Sequence, residues 1–363
     1  MAINEKAIIE RLGNIQDPDI GKTLAELNSI AQIEIDGKLI KIHINLLQPI
    51  HWVAEKINNL CLEALHDLAP DHETEISFGE IPVNHEDRDF LKGVKNIIAV
   101  ASGKGGVGKS AVAANIAASL SLSGAAVGIL DGDIYGPSQP TMFGLEGEQL
   151  LAMEMPDGKT AAYPIEKYNI KVASMGFIMN RDEAAIIRGP MLAGYFSMMF
   201  EQIEWGPLDF LVFDLPPGTG DIQLTLVQKI PLTGAVIVTT PQDISLADVR
   251  RAISMFNRVD VDILGIVENM SYFVPPDMPD RKYYIFGQGG GKRIADEAGV
   301  SLLGEIPLDI SMRIGNDGGK PIILNQDGSV PALALNDITA GIVSAIRKKN
   351  YDESTSGGIQ ISI

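Results

Sequence analysis

The sequence predicts an α/β fold, with a doubly wound and mostly parallel sheet preceded by a small α+β domain. Near-continuous apolar runs recur from residue 96 onward, and helical stretches separate most of them. Strands of a parallel sheet have this pattern because helices cover both faces of the sheet. Alternation of strand and helix then favours right-handed crossovers. The predicted strands are NIIAVAS, AAVGILD, LDFLVFD, GAVIVTT and DILGIVE.

The first 80 residues have a different pattern, which predicts a helix, a hairpin, a second helix and a strand. Asp36-Gly37 joins two runs of alternating apolar residues, a strong signal for a short hairpin turn. The following stretch, HWVAEKINNLCLEALHDL, has apolar residues at helical spacing. We therefore predict an α+β domain at 1–80, a linker at 81–95, the larger α/β domain at 96–348 and a tail at 349–363. Within the tail, IQISI could instead add an edge strand.

Composition limits the partners that this chain can have. The net charge is −18 and the pI is about 4.7, which argues against binding to a nucleic acid or to an anionic membrane surface. No apolar run approaches the roughly 18–20 residues of a membrane span, and the first residues lack the apolar core of a signal peptide. Cys61 is the single cysteine, so an internal disulfide is excluded. We expect a cytoplasmic protein.

A glycine-rich loop lies between the first of these strands and a helix, the context that a phosphate-binding loop requires. Its residues match G-x-x-x-x-G-K-[ST], and its glycines let backbone N–H groups approach phosphate oxygens. Lys109 is expected to contact the β- and γ-phosphates, while the Ser110 hydroxyl ligates Mg²⁺. The predicted nucleotide-binding residues are Gly103, Lys104, Gly105, Gly106, Val107, Gly108, Lys109 and Ser110.

Three aspartates follow two other predicted strands. Asp214 ends a buried strand, where a carboxylate of the magnesium shell belongs, although a simple strand-end cap is the alternative. Asp131 and Asp133 follow the second strand, and either could orient the attacking water or a magnesium-bound water. We assign Asp131 to the metal shell and Asp133 to catalysis. An Asx-type turn that uses the neighbouring glycines Gly132 and Gly136 is the alternative for both.

The loop resembles the deviant Walker A signature, KGGVGK, of the ATPase class that includes nitrogenase iron protein, MinD and ParA. The resemblance implies a homodimer in which Lys104 reaches the nucleotide of the partner subunit, much as an arginine finger does. It also implies ATP as the nucleotide and Mg²⁺ as the cofactor. The alternative is that Lys104 is a solvated lysine on a loop. Lys104 and Lys109 are thus catalytic candidates together with Asp133.

Longer motifs resemble the Mrp/ApbC/Nbp35 family of iron–sulfur cluster carrier ATPases, and residues 1–80 resemble a MIP18-type domain. This resemblance implies that Asn269 faces the adenine and that assembly proteins or client apo-proteins are partners. From the residues alone, Asn269 only ends a buried strand at the ligand-binding edge of the sheet. The motifs are RGPM, WGPLDFLVFDLPPGTGDIQLTL, GAVIVTTPQDISLADVRRAISMF, GIVENMSYF, IFGQGGG and LGEIPLD.

The sequence departs from this family where cluster ligands are expected. Carriers have C-x-x-C just after ENMSYF, whereas this chain has Val274, Pro275, Pro276 and Asp277. A homodimer would offer two thiolates, Cys61 from each chain, and a bridging cluster usually takes four. We therefore assign no iron–sulfur ligands. Three functional alternatives remain: an ATP-driven dimer that serves iron–sulfur assembly with ligands from a partner, a nucleotide-gated interaction scaffold without a cluster, and a MinD-like membrane organiser. The last ranks lowest because it needs a basic amphipathic C-terminal helix, whereas the tail contains Asp352 and Glu353.

Overall fold

A computed structural model describes residues 4–82, 91–154, 160–178, 194 and 198–356. Contacts divide the chain into two compact units. The first comprises Met1–His85 together with Val343–Ile363, and the second comprises Glu86–Ile342. Most of the predicted linker and the RGPM motif lie outside the described residues.

The N-terminal unit has the predicted order of helix, hairpin, helix and strand. Asp36 pairs with Leu39, so Gly37 and Lys38 form the two-residue hairpin turn, and Gly37 has a φ of 62° that favours glycine. The first two strands are antiparallel, and the third adds to the second in parallel. Its elements are α1 (Glu5–Gly13), β1 (Ile30–Asp36), β2 (Leu39–Leu46), α2 (His51–His66) and β3 (Glu73–Glu80).

The larger unit is built on an eight-stranded sheet. Its strand order is β13-β12-β11-β4-β10-β5-β9-β8, and all neighbouring pairs are parallel except β8 with β9. The five predicted strands correspond to β4, β5, β10, β11 and β12. The strands of this unit are β4 (Val94–Ala101), β5 (Val127–Asp131), β6 (Leu151–Glu154), β7 (Thr160–Tyr163), β8 (Ile165–Lys167), β9 (Ile170–Ser174), β10 (Leu208–Asp214), β11 (Gly234–Thr239), β12 (Ile263–Glu268) and β13 (Leu302–Glu305), of which β6 and β7 form a separate antiparallel pair.

Helices follow most of the parallel strands and bury the sheet. The first of them, α3, is alanine-rich and buried on nearly all sides, which explains why its sequence is apolar around the whole helix. The predicted α/β class and the mostly parallel sheet are therefore confirmed. The helices of this unit are α3 (Lys109–Leu122), α4 (Gln139–Met142), α5 (Asp221–Lys229), α6 (Asp243–Asn257), α7 (Gly290–Ala298) and α8 (Ile310–Asp317), with 3₁₀ turns at Met175–Phe177 and Ile322–Asn325.

The last helix, α9 (Val330–Ser356), differs from the predicted C-terminal region. A tail was expected from residue 349, but the helix continues without a break to Ser356. Residues from Val343 onward group with the N-terminal unit, where Arg347 is buried in an ion pair with Asp17. The expectation of a tail is therefore corrected for 349–356. The rest of the tail, including IQISI, lies outside the described residues.

Helix α9 also bears on the expectation that no apolar run approaches the length of a membrane span. Among the described residues, Val330–Thr355 is one helix long and apolar enough to cross a membrane, with a mean hydropathy of 1.2 in its most apolar window. Charged residues interrupt its apolar runs, so counting uninterrupted runs missed it. Half of that window is buried inside the fold, as in a core helix of a globular protein. Arg347 of this helix forms a buried ion pair with Asp17, which agrees with the role of a core helix.

Candidate functional site

Three neighbouring strands bring the predicted site aspartates to one edge of the sheet. Asp214 on β10 lies in register with Asp131 on β5, and Asp131 lies in register with Ser174 on β9. On the other side of β10, Asp214 is in register with Val100, just before the glycine-rich loop. The edge formed by the carboxyl ends of parallel strands is where ligands bind in open α/β folds.

The glycine-rich loop connects β4 to α3 and requires glycine at two close approaches. A Cβ at Gly108 would lie 2.3 Å from Asn269 Nδ2, and one at Gly103 would lie 2.4 Å from the carbonyl carbon of Asp248. Gly108 also has a left-handed φ of 81°. A side chain at Gly103 would collide with the Asp248 backbone, and one at Gly108 would be strained by the left-handed φ, so these glycines determine the path of the loop.

Asn269 contacts this loop directly. It follows β12, its side chain is buried, and its Nδ2 donates to the carbonyl oxygen of Val107 at 2.8 Å. Its backbone N–H donates to the carbonyl oxygen of Thr239 at 2.8 Å. In the structure Asn269 thus stabilises the glycine-rich loop. Its contact with adenine, implied by the family resemblance, remains a prediction.

Lys109 and Asp214 form an ion pair at the centre of this edge. Lys109 Nζ contacts Asp214 Oδ1 and also lies 3.2 Å from Ser110 Oγ. Asp214 is fully buried, and Lys109 is only 6% exposed. Two segments that the sequence assigned separately to phosphate and magnesium are therefore in direct contact. A strand-end cap would not require a buried lysine partner.

Sequence reasoning missed Gln139, which begins the short helix α4. Its Nε2 donates to Asp214 Oδ2 at 2.8 Å and to the carbonyl oxygen of Ser110 at 3.1 Å. The side chain is fully buried. The only sequence signal was its position within ILDGDIYGPSQP, close to the two aspartates. Nothing in local periodicity marks a glutamine in a turn as a site residue.

Asp131 is buried and accepts hydrogen bonds from the loop that follows it. Its Oδ2 accepts from the backbone N–H groups of Ser138 and Gln139 and from Ser174 Oγ, at 3.0, 3.0 and 3.1 Å. Its Oδ1 accepts from the backbone N–H of Asp133 at 3.1 Å. The pKa of Asp131 is raised to about 7, mainly by burial and secondly by repulsion from the Asp214 carboxylate.

Hydrogen bonds of this kind belong to a turn, which is the alternative interpretation for Asp131. Three of these donors reach Oδ2 and one reaches Oδ1, so a lone pair of Oδ1 stays available. The role of Asp131 in the metal shell therefore stays a prediction, like those of Asp214 and Ser110. Asp133 belongs to the same turn, because its Oδ1 accepts from the backbone N–H of Gly136 at 3.1 Å, but its side chain is half-buried rather than enclosed.

Lys104 lies at the front of the loop and is half-buried. Its carbonyl oxygen accepts from Ser102 Oγ at 2.9 Å, and none of the ion pairs among the described residues includes its ammonium group. Ser102 also accepts, through its carbonyl oxygen, from the N–H of Gly218 at 3.2 Å. The loop after β10 is thereby joined to the front of the glycine-rich loop.

Metal-ligating side chains are scattered rather than clustered in the part of the chain that the structure describes. Within the described part of the chain, no group of three or more His, Cys, Asp or Glu residues is placed to hold a metal ion. Cys61 is fully buried in α2, and burial raises the pKa of its thiol to about 12. Phe273 and Tyr283 pair across the segment that takes the place of the C-x-x-C motif.

A parallel sheet, a glycine-rich loop leading into a helix, and a buried strand-end carboxylate facing the loop lysine define a P-loop NTPase. The sequence match agrees with this class. The chain belongs to the ParA family, described as NUBPL iron-transfer P-loop NTPases, which matches residues 93–343. Residues 5–78 match the iron–sulfur cluster assembly protein family. Both resemblances inferred from the motifs are confirmed.

Several relatives are similar over most of the chain. An iron–sulfur cluster carrier protein from Synechocystis is 46% identical over 343 residues, covering 94% of this chain and 97% of the relative. The iron–sulfur cluster carrier protein of Escherichia coli K12 is 42% identical, covering 88% and 86%. The iron–sulfur cluster transfer protein NUBPL of Dictyostelium discoideum is 47% identical, covering 73% and 80%.

Solved structures resemble about two thirds of the chain. A nucleotide-binding protein from Archaeoglobus fulgidus, in complex with ADP, is 36% identical with a TM-score of 0.58, covering 69% of this chain and 96% of the other. The cell division ATPase MinD from Pyrococcus furiosus is 23% identical with a TM-score of 0.50, covering 68% and 98%. This second similarity concerns the fold alone.

Proposed function

We propose that this protein is an ATP-binding and ATP-hydrolysing homodimer that serves iron–sulfur cluster transfer or assembly in the cytoplasm. The observation that carries the nucleotide part is the buried contact between Lys109 and Asp214 beside the glycine-rich loop. The names of the relatives support the cargo. The ADP bound by the Archaeoglobus protein supports a nucleotide at the loop.

Lys109 would leave Asp214 and contact phosphate oxygens when a nucleotide binds. Phosphate oxygens and Asp214 compete for the same ammonium group, and a triphosphate offers more negative charge than one carboxylate. Movement of Lys109 to the β- and γ-phosphates would release Asp214 Oδ1. Nucleotide binding would therefore change the contacts of a buried carboxylate at the end of β10.

The hydroxyl of Ser110 and the carboxylate of Asp214 fit Mg²⁺, which prefers hard oxygen ligands. Magnesium, when bound, would neutralise phosphate charge. Asp133 is proposed to orient the attacking water, because its carboxylate is less enclosed than that of Asp131. Lys104 is proposed to act across the dimer, since Lys109 already occupies the role within the same chain.

An iron–sulfur cluster would be the cargo of this protein, and its described residues do not supply a set of thiolate ligands. We therefore propose that a cysteine-bearing partner contributes the ligands. In this proposal the segment VPPDMPDRKYY is part of the docking surface. Met278 and Tyr283 in that segment are both exposed. A nucleotide-gated scaffold without a cluster is the second candidate, favoured by the burial of Cys61.

The nucleotide assignment is tested by Lys109→Ala in titration calorimetry with ATP and magnesium. Loss of the ammonium group removes the charge-assisted contact to phosphate, so ATP binding should become undetectable. Lys292→Ala is a matched control, because Lys292 forms an ion pair with Asp296 that is exposed on both sides. Near-normal ATP affinity in Lys109→Ala would refute the assignment.

A further inference from the structure

Gln139 contacts three segments of the candidate site at once. Its Nε2 donates to Asp214 Oδ2 at 2.8 Å and to the carbonyl oxygen of Ser110 at 3.1 Å. Its backbone N–H donates to Asp131 Oδ2 at 3.0 Å. One buried residue thus connects the turn after β5 with the glycine-rich loop and with the carboxylate that ends β10.

The orientation of the Gln139 amide is determined by its partners. Both groups that receive a hydrogen bond from Nε2 are acceptors only, a carboxylate of Asp214 and a backbone carbonyl of Ser110. A flipped amide would place Oε1 against two oxygens and lose both hydrogen bonds. The Nε2 group therefore faces Asp214, and Oε1 points away from it.

The Oε1 atom of Gln139 is buried and receives no hydrogen bond from any described residue. Two other buried atoms also lack a hydrogen-bond partner among the described residues, Ser138 Oγ in the turn after β5 and Gln223 Oε1 in helix α5. Buried polar atoms are normally satisfied by protein groups or by ordered water. The Oε1 atom of Gln139 is therefore an acceptor that could receive a hydrogen bond from water at the site.

The two oxygens of Asp214 have different partners, a cation at Oδ1 and a neutral amide at Oδ2. A lysine that moves to phosphate leaves Oδ1, but the amide of Gln139 has no reason to leave Oδ2. The carboxylate would then keep its rotation while Oδ1 becomes available. A leucine of similar size would fill the same space without this restraint.

We propose that Gln139 is a positioning residue of the ATPase site. It holds Asp214 through Oδ2, so that Oδ1 is directed to the metal shell after Lys109 leaves, and its Oε1 accepts a hydrogen bond from a water of that shell. This inference rests on the proposed ATPase function. It assigns to this chain a determinant of magnesium dependence that lies outside the glycine-rich loop.

The test compares Gln139→Leu with the wild-type protein in steady-state ATP hydrolysis across a magnesium titration. Loss of one hydrogen bond to a charged group should lower kcat by about tenfold to a hundredfold. The magnesium concentration for half-maximal rate should rise severalfold, whereas KM for ATP should change by less than about threefold, because the phosphate contacts are retained. Gln139→Glu replaces the donor with an anion beside Asp214, so it should be impaired at least as strongly.

Asn115→Leu is the matched control, since Asn115 is a buried amide on α3 whose contacts are to Ala111 and Ile323. It should lower the melting temperature and leave kcat and the magnesium titration near wild type. Gln139→Met offers a second uncharged variant of similar length, with the same expected kinetics, where the leucine variant fails to fold.

Wild-type kcat and magnesium dependence in folded Gln139→Leu or Gln139→Met would overturn the inference and leave the ATPase function intact. Equal kinetic losses in Asn115→Leu would also overturn it, because the effect would then be general destabilisation. Failure of the wild-type protein to bind ATP with magnesium would instead refute the proposed function, and the inference with it.

Discussion

Arg347 and Asp17 form a buried ion pair at 2.6 Å within the N-terminal unit, although 330 positions separate them in the chain. Arg347 also contacts Asp19, and its Nε donates to the carbonyl oxygen of Leu47 at 2.8 Å. Asp17 is fully buried, and Arg347 is 1% exposed. The end of helix α9 is therefore a structural part of the N-terminal unit.

Arg347→Ala should destabilise the N-terminal unit strongly. Removal of one partner leaves the Asp17 carboxylate buried without its charge partner, which typically costs about 3–5 kcal/mol. The expected result is a loss of this size in the unfolding free energy of the N-terminal unit, measured by urea denaturation. Arg313→Ala is the control, because its ion pair with Asp317 is exposed and should change stability by less than about 1 kcal/mol.

Lys104→Ala should leave ATP binding largely intact and lower both turnover and ATP-dependent dimerisation. Lys109 already contacts the site within its own chain, so Lys104 is free to act on the partner's nucleotide. We expect a loss of about a thousandfold or more in kcat, as for other cations supplied in trans. Turnover and sedimentation with ATP are the measurements, with Lys320→Ala on the exposed surface as control. A wild-type rate in Lys104→Ala would rule out the trans role.

Asp214→Asn and Asp133→Asn should both reduce hydrolysis by about a hundredfold or more, but for different reasons. Asp214 is proposed to lie in the metal shell, so its variant should also require more magnesium. Asp133 is proposed to orient water, so its variant should keep wild-type ATP affinity and magnesium dependence. Magnesium titrations of ATP binding and turnover distinguish the two. Identical profiles would count against separate roles.

The purified homodimer, reconstituted anaerobically with iron and sulfide, should not retain a [4Fe–4S] cluster. Such a cluster usually takes four thiolates, and each chain has only Cys61, which is fully buried. Carboxylates such as Asp277 or Asp280 are poor substitutes, because these clusters prefer sulfur ligands. Iron and sulfide content and visible absorption are measured on the wild type and on Cys61→Ser. About four irons per dimer in the wild type after gel filtration would show that this prediction is wrong.

The Cys61 thiol should be unreactive in the folded protein. Burial raises its pKa from 9.0 to about 12, so little thiolate is present at pH 8. A disulfide reagent should modify it only after unfolding in urea. Because the unfolded thiol ionises first, the Cys61 contribution to stability is complete below pH 9.0 and declines as the pH rises from 9.0 toward 12.

Comparison of wild type with Cys61→Ala isolates this contribution. The difference in unfolding free energy between the two proteins should shrink as the pH rises above about 9, measured by urea denaturation at pH 8 and pH 10. Rapid labelling of the native protein at pH 8 would contradict the burial of the thiol in α2.

Local sequence patterns predicted the parts of this fold that depend on local physics. Continuous apolar runs predicted the five strands, because strands covered on both faces must be apolar throughout. Asp36-Gly37 predicted the hairpin, and the glycine spacing from Gly103 to Ser110 predicted a phosphate loop between strand and helix. The absence of C-x-x-C was also a property of the sequence alone.

Only the tertiary structure showed which distant residues meet. The order β4-β10-β5 buries Asp131 beside Asp214, and no sequence spacing encodes that order. Burial first, and the Asp214 carboxylate second, raise the pKa of Asp131. The same packing brings Gln139 to Asp214. It also brings Arg347, which the sequence assigned to the larger domain at 96–348, to Asp17 in the N-terminal unit. Periodicity reports that a residue is buried, whereas its partner is determined by how the chain returns to it through the fold.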